Sequence, residues 1–260
     1  MVSFIRIARN AYSALKSRPL PGAAALLLLT GCVHLWAFSW CPYVSRDSVR
    51  YLTGAIRWAE QGSYDLFHFP PLPCFLMKLL LQMGFSPEAA GNIYSFLPGL
   101  FVPLASYVFA LKASGNRRLA RYTSVMLIGH PLLLAFSVEP LRESLFILLA
   151  LLIMICGITG LKEQKLLPWF YCSVFTALAW CCRFEALEFV ILAFFILLLN
   201  FLQKRTPFRK AAVHFTVYLV CTILLWGVFT VATGGVKCFN YQFENYVLNK
   251  WNLFLVRWKI

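Results

Sequence analysis

The chain has 260 residues, of which 60% are hydrophobic, 17% aromatic and only 13% charged, with a mean hydropathy of +0.71. Soluble domains carry about 25% charged residues, so a water-soluble globule, a disordered chain and a collagen are poor starting points. The net charge of +14 is scattered between apolar blocks rather than gathered into one basic patch, which argues against a nucleic-acid partner and for charges that set membrane orientation.

Apolar blocks lie near 22–41, 71–85, 94–111, 120–138, 144–161, 166–182, 184–202 and 212–233. The first follows a basic segment holding Arg6, Arg9, Lys16 and Arg18. Within it Leu29-Thr30-Gly31-Cys32 has the form of a lipobox, but the chain runs on through Val33-His34-Leu35-Trp36-Ala37-Phe38 instead of a polar linker. With no A-x-A-like cleavage site either, the segment is predicted to be an uncleaved first span. Most of the nine cysteines sit inside apolar runs with no C-x-x-C spacing, the placement of small packing residues.

The second block carries Pro73 and Lys78 and falls short of the ~20 residues that a ~30 Å hydrocarbon core requires. If it does not cross, segments 1–21, 112–121, 162–165 and 203–211 share one side and hold 14 Lys and Arg with a single acid, Glu163. Cytoplasmic loops collect Lys and Arg. Seven crossings with a cytoplasmic N-terminus is therefore the predicted topology, the 71–85 helix lying on or dipping into the outer leaflet. The other nine carboxylates, Asp47, Glu60, Asp65, Glu88, Glu139, Glu143, Glu185, Glu188 and Glu244, then gather on the outer side. The predicted fold is all-α: a single domain over 1–260, a polytopic transmembrane helix bundle of about seven spans. The first covers 22–41, an outer loop with juxtamembrane helices follows over 42–93, six further spans over 94–233 and an interfacial tail over 234–260.

The first outer loop opens with Ser45-Arg46-Asp47-Ser48-Val49-Arg50-Tyr51-Leu52 and runs to Gly62. Tyr51, Ala55, Trp58 and Ala59 recur at helical spacing, as in an amphipathic interfacial helix. Asp47 stands at its start, where a carboxylate either caps free backbone N–H groups or serves chemistry. Next comes Tyr64-Asp65-Leu66-Phe67-His68-Phe69-Pro70-Pro71-Leu72-Pro73, an aromatic and proline-stiffened lip with His68 a candidate contact. His130-Pro131 marks a helix kink. If Pro140 opens a helix, Glu139 and Glu143 lie four apart with Arg142 beside them. The third outer turn, Cys182-Arg183-Phe184-Glu185-Ala186-Leu187-Glu188, repeats one arginine with two acids, Glu185 and Glu188 sharing a helical face. Such clusters either tie span ends together or face a water-filled cavity. The first loop and the Glu139–Glu143 turn are expected to enclose one acidic chamber.

The order of these parts resembles the GT-C superfamily of integral membrane glycosyltransferases, in particular the bacterial branch of protein O-mannosyltransferases and lipid A aminoarabinose transferases. The likeness is carried by Arg46-Asp47-Ser48-Val49-Arg50-Tyr51-Leu52, Gly62-x-Tyr64, Pro70-Pro71-Leu72-Pro73, His130-Pro131, Leu141-Arg142-Glu143-Ser144-Leu145 and Arg183-Phe184-Glu185-Ala186-Leu187, covering about residues 22–202. It implies a polyprenyl-phosphate-linked sugar as donor, a lipid, glycan or protein as acceptor, and inverting transfer at the extracytoplasmic face of a bacterial cytoplasmic membrane. Asp47 maps onto the catalytic carboxylate of the first loop, and Glu143, then Glu139, onto the acid of the second outer turn, where relatives often carry Asp. Arg46, Arg50, Tyr51, His68, Arg142, Arg183 and Glu185 are the implied substrate contacts. No cofactor is assigned, and a divalent metal is left open for the acids. Family members are commonly longer, so the chain is expected to be incomplete at its C-terminus. A lipid carrier or flippase is the competing reading and predicts internal repeats or midplane charges, which the sequence does not display; a structural membrane subunit is a third.

Overall fold

The computed structural model describes residues 19–40, 45–62, 64 and 69–234. His68, Asp65 and the 235–260 tail lie outside the described residues. All regular structure among the described residues is helical: α1 (Pro19–Trp40), α2 (Arg46–Gln61), α3 (Pro71–Gln82), α4 (Pro87–Ser114), α5 (Arg117–Ile128), α6 (Pro131–Val138), α7 (Glu143–Glu163), α8 (Leu166–Cys182), a 3-10 turn (Phe184–Ala186), α9 (Leu187–Leu202) and α10 (Phe208–Ala232).

Five stretches are long and apolar enough to cross a bilayer: Gly22–Ser39, Pro87–Ser114, Glu143–Glu163, Phe184–Leu202 and Phe208–Ala232. Together α5 and α6 pass the same test as a sixth, bent by 56°. The seventh expected span, α8, is an apolar helix of 17 residues, about 25 Å at 1.5 Å per residue. The chain is an all-α, integral membrane protein. Its large apolar residues, Leu28, Ile191, Leu199, Leu224 and Val228 among them, stay exposed on the helix faces, as lipid-facing residues do.

The bend falls where the sequence places it. Pro131 has no backbone N–H, and the residue before a proline is driven out of the helical region. His130 accordingly sits at φ −72°, ψ 120°. The same rule acts at the next turn, where Glu139, before Pro140, is extended at φ −108°, ψ 133°. Glu139 therefore ends α6 and Glu143 opens α7. Pro140 thus does not open a helix that holds both acids; α7 starts three residues later, at Glu143.

The block at 71–85 forms α3, a helix of 12 residues, about 18 Å long and too short to cross. It packs against α2, α4 and α8. α2 ends at Gly62 in the left-handed region, φ 73°, a conformation that glycine adopts without Cβ strain. Its buried face, Ser48, Tyr51, Gly54, Ala55 and Trp58, joins Cys74 and Met77 of α3 and Tyr94 of α4 in one apolar cluster. The helix called interfacial on sequence grounds thus buries its stripe against protein.

Small residues set the closest approach. Gly91, Ser95 and Gly99 recur every four residues on α4, and all three are buried. A Cβ on Gly91 would come 3.2 Å from the Pro140 ring, and one on Gly99 would stand 2.4 Å from Ser137 Cβ. Backbones pack directly through such a stripe, and here it seats the 137–140 segment on α4. Another core joins α7, α8, α9 and α10 around Trp169 and Tyr218.

The two ends of the bundle are chemically opposite. At one, the Lys162 ammonium donates to the Lys112 carbonyl, Gln164 Nε2 to the Arg205 carbonyl at 3.1 Å, and Lys210 Nζ to Gln164 Oε1 at 3.1 Å. The three basic loops therefore meet. At the other end lie the carboxylates described next. This is the segregation that the charge pattern predicts.

Candidate active site

α2 begins at Ser45, whose hydroxyl accepts from the Ser48 N–H at 3.2 Å. Capping, one of the two readings of Asp47, thus belongs to Ser45. Asp47 lies in the first turn, where a carboxylate favours the positive end of the helix dipole, and its Oδ1 is 3.7 Å from Arg50 Nη1. Its side chain is 61% exposed. Arg46 is exposed as well. Arg50 hangs over the Phe69 ring at 6.0 Å.

Glu139, from the far end of α6, accepts the backbone N–H of Ser45. One carboxylate thereby joins two segments 94 residues apart in sequence and holds the start of α2 against the second turn. That turn is itself pinned: the Ser144 hydroxyl donates to the Phe136 carbonyl at 2.5 Å, and Cys182 Sγ donates to the Arg142 carbonyl at 3.4 Å.

Four charges alternate from there inward. Arg142 Nε is 3.5 Å from Glu143 Oε1, and Arg183 Nη1 is 3.8 Å from the same oxygen. Arg183 also donates to both carboxylate oxygens of Glu185, Nη2 to Oε1 at 3.1 Å and Nε to Oε2 at 3.5 Å. Its guanidinium lies 5.2 Å from the Phe146 ring centroid. A bidentate fork with an aromatic face behind it suits arginine and not lysine. Glu185, inside the 3-10 turn, folds back on Arg183, while Glu188, in the first turn of α9, is exposed.

Beneath this cluster lies a buried tyrosine pair. Tyr51 is 2% exposed and Tyr94 4%. Burial pushes the Tyr51 phenol well above its ordinary range, with the Arg142 charge opposing and Cys182, Cys74 and Glu143 reinforcing. Tyr51 is therefore a neutral floor under Arg142 and Glu143. Glu143 Oε2 and Tyr94 Oη are both buried with no hydrogen-bond partner among the described residues. A buried polar atom left unpaired costs about 1–3 kcal/mol, a cost tolerated at sites that receive a ligand or an ordered water.

The structure thus brings together Tyr51, Arg142, Glu143, Arg183 and Glu185, and ties Glu139 to the head of α2. Asp47 stands one turn before Tyr51 and is 61% exposed, whereas Glu143 is 21% exposed with its Oε2 buried. Among the described residues no three His, Cys, Asp or Glu side chains converge as metal ligands. Ser45, Tyr94 and Cys182 escape the sequence reading. Ser45 competes with Asp47 and Ser48 for the same cap, and the other two are indistinguishable from apolar packing residues.

Membrane-length helices with arginines and carboxylates interleaved at one end define a polytopic membrane protein with a polar site at the helix mouths. The family model for dolichyl-phosphate-mannose-protein mannosyltransferase matches residues 68–229, more than half of the chain, and the chain belongs to that family, one of glycosyltransferases that use a lipid-linked sugar donor. The match contains Glu139, Arg142, Glu143, Arg183 and Glu185, while Arg46, Asp47, Arg50 and Tyr51 precede it. No curated protein and no solved structure matches the chain.

Proposed function

We propose that the chain transfers a sugar from a polyprenyl-phosphate donor to a lipid, glycan or protein acceptor at the extracytoplasmic face of a bacterial cytoplasmic membrane, with inversion at the anomeric carbon. The observation that carries this reading is the family match together with the alternating Arg142–Glu143–Arg183–Glu185 cluster at one end of the bundle. Sidedness follows from charge: the opposite end gathers ten Lys and Arg from 112–121, 162–165 and 203–211 against Glu163 alone, the signature of the cytoplasmic side.

The chemistry divides between two places. A lipid phosphate leaves as a stable anion and gains chiefly from cations held near it; the exposed Arg46 and Arg50 near the start of α2, together with Arg142 and Arg183, are the candidates. The acceptor needs its proton removed as its oxygen or nitrogen attacks, a task worth about 10²–10⁴-fold. Asp47 takes that proton. Its exposure gives an acceptor direct access, and Arg50 stands beside it at 3.7 Å. The attacking atom bonds to the anomeric carbon as the carbon–oxygen bond to phosphate breaks, and the electron pair leaves with the phosphate. Glu143 orients Arg142 and Arg183, and Glu139 fixes the height of α2 above them.

The test is product formation. The purified full chain, reconstituted with a radiolabelled polyprenyl-phosphate mannose and an extract of envelope lipids, glycans and proteins, is expected to move label from the donor to an acceptor fraction. Label that stays on the donor with every fraction contradicts the reading.

A further inference from the structure

The basic end of the bundle holds a groove of about 540 Å³ with no part in the proposed chemistry. Gln164, Leu166, Arg209, Lys210, Val213 and His214 line it. Two long helices begin at its rim, α8 at Leu166 and α10 at Phe208. Neither has a side-chain cap: Lys165 and Pro207 stand at the cap positions and make no such bond. Free N–H groups at a helix start, with the positive end of the dipole, attract anions. Here two such starts open on one groove beside two cationic side chains. Lys210 is aimed across it by its 3.1 Å bond to Gln164 Oε1, and Gln164 is itself anchored to the Arg205 carbonyl. His214, 3% exposed and packed face-on against Trp169 at 6.0 Å, lines the groove with no hydrogen bond among the described residues. The nearby acid, Glu163, pairs with Lys165 at 3.4 Å.

The rest of the lining is apolar. Leu166 and Val213 are 46% and 44% exposed, and Phe208 beside them 67%. These positions stand at the starts of two apolar helices, one of them, α10, long enough to cross a bilayer, where headgroups meet acyl chains. A soluble anion has no use for that apolar wall, whereas a phospholipid has an anionic head and a chain to lay along it. Basic pockets between spans on the cytoplasmic side bind such headgroups.

We propose that this groove binds an anionic phospholipid, its phosphate at Arg209, Lys210 and the two helix starts and its acyl chain along Leu166 and Val213. The lipid is a structural ligand of the basic face, separate from the sugar donor at the opposite end, so the proposal stands whether or not the transferase reading does.

The test titrates the full chain in uncharged detergent with dioleoyl phosphatidylglycerol, dioleoyl phosphatidylcholine or sodium phosphate, read by melting temperature and by native mass spectrometry of retained lipid. Phosphatidylglycerol is expected to bind saturably and the other two not. The Arg209→Gln/Lys210→Gln variant is expected to weaken that binding about 30-fold, from about 1 kcal/mol for each cation near the lipid surface. Val213→Trp fills the groove from an exposed position without changing charge and is expected to abolish retention. Arg117→Gln/Arg118→Gln removes equal charge from exposed sites on α5 and is expected to leave binding intact. Equal binding of phosphatidylcholine, equal saturation by phosphate alone, wild-type titration of the groove variants, or an equal loss in the α5 variant would each overturn the proposal.

Discussion

Glu139 accepts the backbone N–H of Ser45, so the carboxylate that closes α6 also completes the start of α2. The Ser45 hydroxyl meanwhile caps the same helix from within by accepting the Ser48 N–H. Asp47, two residues on, inherits its position from both.

Removing that tether is expected to act on α2 and not on the bundle. Glu139→Ala leaves the Ser45 N–H without its charged partner, a loss of about 1.5–3 kcal/mol for a hydrogen bond to a charged group. Glu139→Gln keeps an acceptor oxygen. Turnover is expected to fall at least tenfold in the alanine variant and by much less in the glutamine one, and the alanine variant is expected to melt lower than the glutamine one. Equal losses in both would mean that the negative charge itself, and not its acceptor oxygen, is what matters.

Glu143 and Arg183 form a second testable pair. They are 21% and 27% exposed, and breaking a buried pair from one side costs about 3–5 kcal/mol; with this residual exposure about 1–3 kcal/mol is expected for Arg183→Ala. In a double-mutant cycle with Glu143→Gln, the second change should cost less once the first is made. Strict additivity in melting free energy would mean that the two charges do not interact.

Two close approaches make packing predictions. Ala at Gly99 sets its Cβ against Ser137, and Ala at Gly160 sets its Cβ 2.7 Å from Trp169 Nε1. Overpacking costs about 1–3 kcal/mol. Both variants should melt lower than wild type, and Gly99→Ala should also lower turnover, because the 137–140 segment carries Glu139. Gly157→Ala, with open space around its Cβ, is the control expected to melt like wild type.

Burial raises the Tyr51 phenol, against the pull of Arg142. In the unfolded chain Tyr51 ionises at about pH 10, so between that pH and its higher native value the unfolded state binds fewer protons than the native one. Its contribution to stability is then whole below about pH 10 and shrinks as pH rises further. An absorbance titration of the native protein should give the same number of phenolates near pH 10 for wild type and Tyr51→Phe. One fewer in the variant would put Tyr51 in contact with water.

Much of this architecture is legible in the sequence because local chemistry fixes it. Gly62 ends α2, Pro131 bends the α5–α6 span, and the shortness of the Pro71–Gln82 helix keeps it from crossing. The separation of Lys112, Lys162 and Lys210 from the carboxylates follows from counting charges. The site was less legible where one residue decides among several. Ser45, Asp47 and Ser48 all offer cap oxygens, and only the register of the first turn selects Ser45. Pro140 does forbid a helix through Glu139, yet the partner it then finds lies 94 residues away. Tyr94 carries no signal at all, since an aromatic inside an apolar helix reads as packing until its hydroxyl is seen beneath Glu143.

The most direct measurement concerns Asp47. With polyprenyl-phosphate mannose as donor, Asp47→Asn is expected to lower turnover about 10²–10⁴-fold while leaving donor binding and melting temperature near wild type, since its carboxylate is exposed and does not cap the helix. An Asn variant that turns over like wild type would remove Asp47 from the reaction and shift the search for the base to Glu143.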